Sequence, residues 1–282
     1  MELKELTPEP VAHYHEQDGE DGGPGEDGRA RARAQRAQWA RAALRQVQRH
    51  SVWPWAVYFP LHAANALVVG AVAPAAANEV LMMVRELLPE KSTTATVLVV
   101  SAAAHVASGV ALRVWRWVAR RQRAREDGPD AHRVAVRRRE FGLVGGLSGY
   151  FIGAARELAY NPQVVSGYVL VPAVAYHARL MAGSEVDFDF VRWILQNERR
   201  AAVAWAAGAV PLAVLVWSAT YHLGAGLCQF ARISRWKWRK TVSTLIFGVS
   251  TTGLVALWRL SRSAGDGFVD AARYRGLLRA LF

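Results

Sequence analysis

Four histidines in this chain stand where ionisable side chains are rare. His62, His105, His177 and His222 each fall in a different long apolar stretch, whereas His13, His15, His50 and His132 lie in polar segments. An imidazole inside a membrane is costly and points by default to a function. Neutral imidazole is also the side chain that ligates haem iron. The neighbours are small: Ala102, Ala103, Ala104, Ala107, Ser108 and Gly109 around His105, and Gly224, Ala225 and Gly226 after His222. Such residues leave room for a flat macrocycle between helices, and Arg113 and Arg179 could meet its propionates. The plainer alternative is that each His hydrogen-bonds a neighbouring helix through Ser, Thr or Tyr.

Depth along a helix sorts the four into pairs. His105 lies eight residues from Arg113 and His222 ten from Arg232, so both sit roughly 12–15 Å from one basic side. His62 lies 13 residues from Arg49, roughly 20 Å from that side, and His177 only two residues from Arg179, near the opposite side. Two levels are expected: His105 with His222, and His62 with His177 deeper. Two bis-His haem groups stacked in a helix bundle need this arrangement, so one or two haem b are the expected cofactor.

The elements that must carry these residues are membrane spans. The 282 residues are 52% hydrophobic, with 35 Lys and Arg against 23 Asp and Glu, a net charge of +12. The average is ordinary; the distribution is not, because apolar stretches alternate with Arg-rich loops. That pattern excludes a plain soluble globule and a disordered chain, and argues against the nucleic-acid binding that the charge alone would suggest. A bilayer core takes about 20 apolar residues as helix. Five stretches qualify, at about 52–77, 94–119, 162–182, 201–231 and the shorter 241–258, with Trp53, Trp55, Trp115, Trp117, Trp236, Trp238 and Trp258 at their ends, where indole rings favour the headgroup level. A Gly-rich apolar segment at 141–155, with Gly145, Gly149 and Gly153 four residues apart, reads as a short packed or re-entrant piece. The expected fold is all-α: a five-helix transmembrane bundle over 50–262, with a C-terminal tail at 263–282.

Residues 1–28 are acidic and Gly-rich and read as a disordered tail; residues 29–49 are Arg- and Ala-rich and read as a basic helix at the membrane surface. The first apolar run begins too far along for a cleaved leader, and nine acidic residues before the Arg-rich segment argue against a matrix presequence. Residues 1–51, 113–161 and 232–240 hold eight, eleven and five Lys and Arg, 24 of the chain's 35, which places the N-terminus in the cytosol. Arg232–Lys240 (RISRWKWRK) could also attract anionic lipid headgroups. Cys228, the single cysteine, offers no disulfide. Asn78–Glu90 and Gly183–Arg200 read as amphipathic helices capping the far face. There is no hydrolase or Walker motif, and the spans hold no Asp or Glu for proton coupling, so neither an enzyme nor a proton-coupled transporter is expected. In the tail, Pro8-Glu9-Pro10 is pre-set toward polyproline II, with Leu3 and Leu6 upstream as candidate anchors for a groove on a partner.

WPWAVYFPLHAANALV (Trp53–Val68), AAAHVASGVALR (Ala102–Arg113), the stretch from Gly142 to Leu180 and SATYHLGAGLCQF (Ser218–Phe230) resemble the transmembrane domain of a fungal mitochondrial outer-membrane adaptor family, named for suppressing defects in endoplasmic reticulum–mitochondria tethering. The resemblance covers roughly residues 45–275. It implies residence in the mitochondrial outer membrane, a role in lipid homeostasis, and recruitment of a bridge-like lipid-transfer protein through a P-x-P motif, here Pro8 and Pro10 with Leu3 and Leu6 upstream. The four-His, five-span plan is also similar to the cytochrome b anchor of fumarate reductases, and His105-Val-Ala-Ser-Gly resembles the H-x-x-[ST]-G element of such anchors. The competing expectation is a di-haem b-type protein passing electrons across the bilayer.

Overall fold

The computed structural model describes residues 24–126, 161–181, 187–196, 201–233, 235–263 and 271–279. Leu3, Leu6, Pro8, Pro10 and the Gly-rich segment at 141–155 lie outside them. Every regular element among the described residues is helical. We number them α1 (Pro24–His50), α2 (Trp53–Ala63, running on through Val72), α3 (Ala77–Glu86), α4 (Lys91–Glu126), α5 (Pro162–Leu180), α6 (Phe188–Leu195), α7 (Val210–Phe230), α8 (Trp236–Arg262) and α9 (Ala271–Arg279). Four helical stretches are long and apolar enough to cross a membrane: Arg31–Val72, Lys91–Ala119, Ala201–Phe230 and Trp236–Arg262. The third expected span, at 162–182, which is α5, is not among them. Gln163, Ser166, Tyr168, Tyr176, His177 and Arg179 dilute its apolar character. It nevertheless lies along α7 from the level of His222, which meets Gln163, to the level of Ala207, whose carbonyl accepts from Tyr176 Oη at 2.6 Å. On the side that meets α7, a helix can carry polar groups that a wholly lipid-facing one cannot.

Other boundaries also differ from those read off the sequence. The basic helix starts at Pro24 and runs nearly unbroken into α2. It does not stand alone: Arg41 lies over the Trp115 ring at 5.0 Å, and Gln48 and Ser51 reach His105, so α1 packs antiparallel along α4. The last span is 27 residues long rather than 18, because Trp236–Lys240 are already helical. Inside α2 and before α7 the helix widens to π geometry, at Ala64–Val69 and Ala204–Ala209. Such bulges expose or shift a carbonyl and often mark functional regions. Span one stops at Ala73, whose φ of −137° precedes Pro74.

α7 and α8 meet through Gly253, where an added Cβ would lie 2.6 Å from Val216 Cγ1, and through Thr220 Oγ1 and Ser250 Oγ, 2.7 Å apart. At the end away from Arg232–Lys240, a polar clamp ties the helix ends together. Asp187 caps α6 by accepting from the amides of Asp189 and Phe190. Asn78 accepts from the Phe188 amide and donates to Asp189 at 3.0 Å. Arg192, 9% exposed, donates to Asp189 at 2.8 Å and to the Pro74 carbonyl. Gln196 donates to the carbonyls of Leu260 and Ser263, and Arg259 to that of Ala71. The segments that read as simple caps thus join the ends of spans one and five. Tyr274 of α9 packs on Phe190 and Trp193 at this same end. Asp189→Ala removes the acceptor for both Arg192 and Asn78, and is expected to cost about 1–3 kcal/mol; thermal unfolding of the detergent-solubilised protein measures it.

Candidate functional site

The structure brings the four histidines together in two pairs. His105 of α4 faces His222 of α7 with ring centroids 6.3 Å apart and planes at 89°. His62 of α2 faces His177 of α5 at 5.8 Å and 55°. Ser51, beside His105, precedes His62 by eleven residues, and Ser166, beside His222, precedes His177 by eleven. The two pairs are therefore about 16 Å apart along the bundle.

In the first pair, ring orientation is fixed by the backbone. His105 Nδ1 lies 3.1 Å from the Gln48 carbonyl and 3.3 Å from Ser51 Oγ. His222 Nδ1 lies 3.0 Å from the Gln163 carbonyl and 3.4 Å from Ser166 Oγ. Each serine in turn donates to the same carbonyl. A carbonyl can only accept, so Nδ1 carries the proton in both rings and Nε2 keeps its lone pair. This is how a protein prepares an imidazole to bind a metal through Nε2. The approach of His222 depends on Gly167, where a Cβ would fall 2.9 Å from the ring. Arg113 lies over the Tyr168 ring at 5.2 Å. Among the described residues no carboxylate lies against it.

The second pair is drier. His177 Nδ1 is buried with no hydrogen-bond partner among the described residues, and Tyr58 stacks on His62 at 5.3 Å, planes 15° apart. An orphaned ring nitrogen costs about 1–3 kcal/mol unless a bound group occupies the site.

Sequence reasoning missed the carbonyl partners, and with them an internal repeat. Gln48, Ser51 and His62 recur 115 residues later as Gln163, Ser166 and His177. Ser101, His105 and Gly109 recur 117 residues later as Ser218, His222 and Gly226. The contacts repeat too. A Cβ on Gly109 would meet Gln48 Nε2 at 2.9 Å, and one on Gly226 would meet Gln163 Nε2 at 3.0 Å. Arg113 sits on Tyr168, and the corresponding Phe230 meets Trp53 edge-on at 5.7 Å. Each imidazole pair takes one member from each half, so both pairs lie where a pseudo-two-fold axis would pass. The recurrence of Q-x-x-S fourteen residues before... a histidine is the signal that could have disclosed this.

No cluster of three or more metal-binding side chains occurs among the described residues. Two opposed imidazoles fit a metal whose other positions are filled by a macrocycle: a metal–nitrogen distance of about 2 Å on each face leaves the ring centres about 6 Å apart. If the repeat is structural, Gly109→Val and Gly226→Val should destabilise alike, each by about 1–3 kcal/mol, as read from unfolding midpoints in detergent.

Comparison with known proteins agrees with this architecture. A family model described as the transmembrane domain of MDM10-complementing protein 1 matches residues 57–158. The mitochondrial adapter protein MCP1 of Saccharomyces cerevisiae is 38% identical over 284 residues, covering 93% of this chain and 91% of that protein. No solved structure matches the chain. With that identity over nearly its whole length, the chain belongs to the family of the mitochondrial adapter protein MCP1.

Proposed function

We propose that this protein is a non-enzymatic adaptor of the mitochondrial outer membrane, acting in lipid homeostasis, with haem b in its bundle. The observation that carries the adaptor reading is the near full-length similarity to a protein named a mitochondrial adapter. Five crossings put the N-terminus in the cytosol and the C-terminus on the other side. The placement of α1 beside the basic end and α9 at the polar clamp supports an odd number. The tail then projects Leu3, Leu6, Pro8 and Pro10 into the cytosol to capture a bridge-like lipid-transfer protein. Pro8→Ala with Pro10→Ala is expected to abolish recruitment of that partner and leave mitochondrial localisation intact; unchanged recruitment would remove this mechanism.

The paired imidazoles carry the haem reading. His105 and His222 would hold one iron through Nε2, with the Gln48 and Gln163 carbonyls holding the Nδ1 protons and strengthening both ligands. His62 and His177 would hold a second. Arg113, against which no carboxylate lies among the described residues, offers a guanidinium for a propionate at the first site. Bound there, haem supplies one-electron redox chemistry, with a potential set by its axial ligands and their hydrogen bonds. The two levels about 16 Å apart favour transmembrane electron transfer as the second reading. In purified protein, His105→Ala and His222→Ala should each abolish the same low-spin haem signal, and His62→Ala and His177→Ala the other. Loss of a different signal from each member of a pair would overturn the pairing.

A further inference from the structure

The basic end of the bundle differs from the clamped end in how its cations are held. At the clamped end Arg192 is neutralised by Asp189. At the basic end the cations rest on aromatic rings: Arg41 on Trp115 at 5.0 Å, Arg49 on Phe230 at 4.8 Å and Lys240 on Trp236 at 5.3 Å. A ring face holds a cation in place but supplies no counter-charge, and leaves the N–H donors at its edge available. Among the described residues no carboxylate lies against any of these three. They come from two helices: Arg41 and Arg49 from α1, beside α4 and against the end of α7, and Lys240 from the start of α8.

The same band carries indoles that are more than half exposed among the described residues. Trp39 is 75% exposed, Trp53 52%, Trp236 56% and Trp238 59%. Exposed Trp beside Arg and Lys at helix ends marks the headgroup level of a bilayer. The α7–α8 turn adds to it. Arg232 adopts φ 51°, a left-handed conformation that favours glycine, and the turn holds this exposed arginine there beside Arg235. The anions available to a cation at that depth are lipid phosphates.

We propose that Arg41, Arg49 and Lys240, seated on Trp115, Phe230 and Trp236, form a collar that selects phospholipids of net negative headgroup charge from the surrounding leaflet. A zwitterionic lipid presents its phosphate with a cation attached; an anionic lipid does not, and gains from each ring-held charge in the collar. The proposal is independent of haem binding.

The test uses the full-length protein reconstituted in phosphatidylcholine vesicles with a trace of spin-labelled phosphatidylglycerol or spin-labelled phosphatidylcholine. The motionally restricted fraction of each label reports its association with the protein. Phosphatidylglycerol should be favoured at least about threefold at low salt, with the preference falling at high salt. Arg41→Gln/Arg49→Gln/Lys240→Gln should reduce it to near parity, while Arg41→Lys/Arg49→Lys keeps most of it. Where the triple variant fails to fold, Lys240→Gln alone should lower the preference measurably. Inorganic phosphate, compared with chloride at equal ionic strength, should leave the preference unchanged; a specific loss would assign the collar to soluble phosphate instead. Equal restriction of the two lipids, or unchanged selectivity in a folded Gln variant, would overturn the proposal.

Discussion

An imidazole inside a bilayer is favoured where its N–H finds an acceptor, because no water is there to take it. In this protein the Nδ1 protons of His105 and His222 go to the carbonyls of Gln48 and Gln163. Much of the architecture follows. Gln48 can reach His105 only if α1 stays helical far beyond the apolar stretch and packs along α4. Gln163 can reach His222 only if α5 starts at the same level and lies against α7, with Gly167 giving the ring its space. Once those rings are set, the opposite faces of the bundle bring His105 to His222, and the next level brings His62 to His177.

The repeat explains why the constraint is met twice. Q-x-x-S followed by His, then S-x-x-x-H-x-x-[SA]-G, occupies both halves in the same orientation, so a single packing solution serves both. The halves differ at a matching position beside the first pair. Arg113 in one half, seated on Tyr168, corresponds to Phe230 in the other, seated against Trp53. The far-side clamp lies outside the repeat. It joins spans one and five through Arg192, Gln196 and Arg259, closing the end of the bundle that the imidazole network does not reach.

Much of this was legible in the sequence. Apolar length located the four stretches long and apolar enough to cross a membrane, and counting residues from the basic ends grouped the four histidines into the pairs the structure shows. What could not be read was whatever depends on backbone carbonyls or on a partner helix. The role of Gln48 and Gln163 is played by their main-chain oxygens, so residue type carries no trace of it. α5 falls short of the other spans in apolar character because it carries Gln163, Ser166, Tyr168, Tyr176, His177 and Arg179, some of which bond to α7 and the turn before it. Asn78 and Asp189, 111 residues apart, are bonded through a contact that no local pattern encodes. Amphipathic segments that read as passive caps turned out to hold the helix ends together.

The central claim is that the opposed imidazoles are axial ligand pairs. The most direct measurement is the absorption spectrum of the purified full-length protein, oxidised and reduced, with a pyridine haemochrome assay of the same sample. A Soret band with the sharp reduced bands of low-spin bis-imidazole haem b is the predicted result. Folded protein with no Soret band and no haemochrome signal would contradict it and leave the four histidines as packing residues.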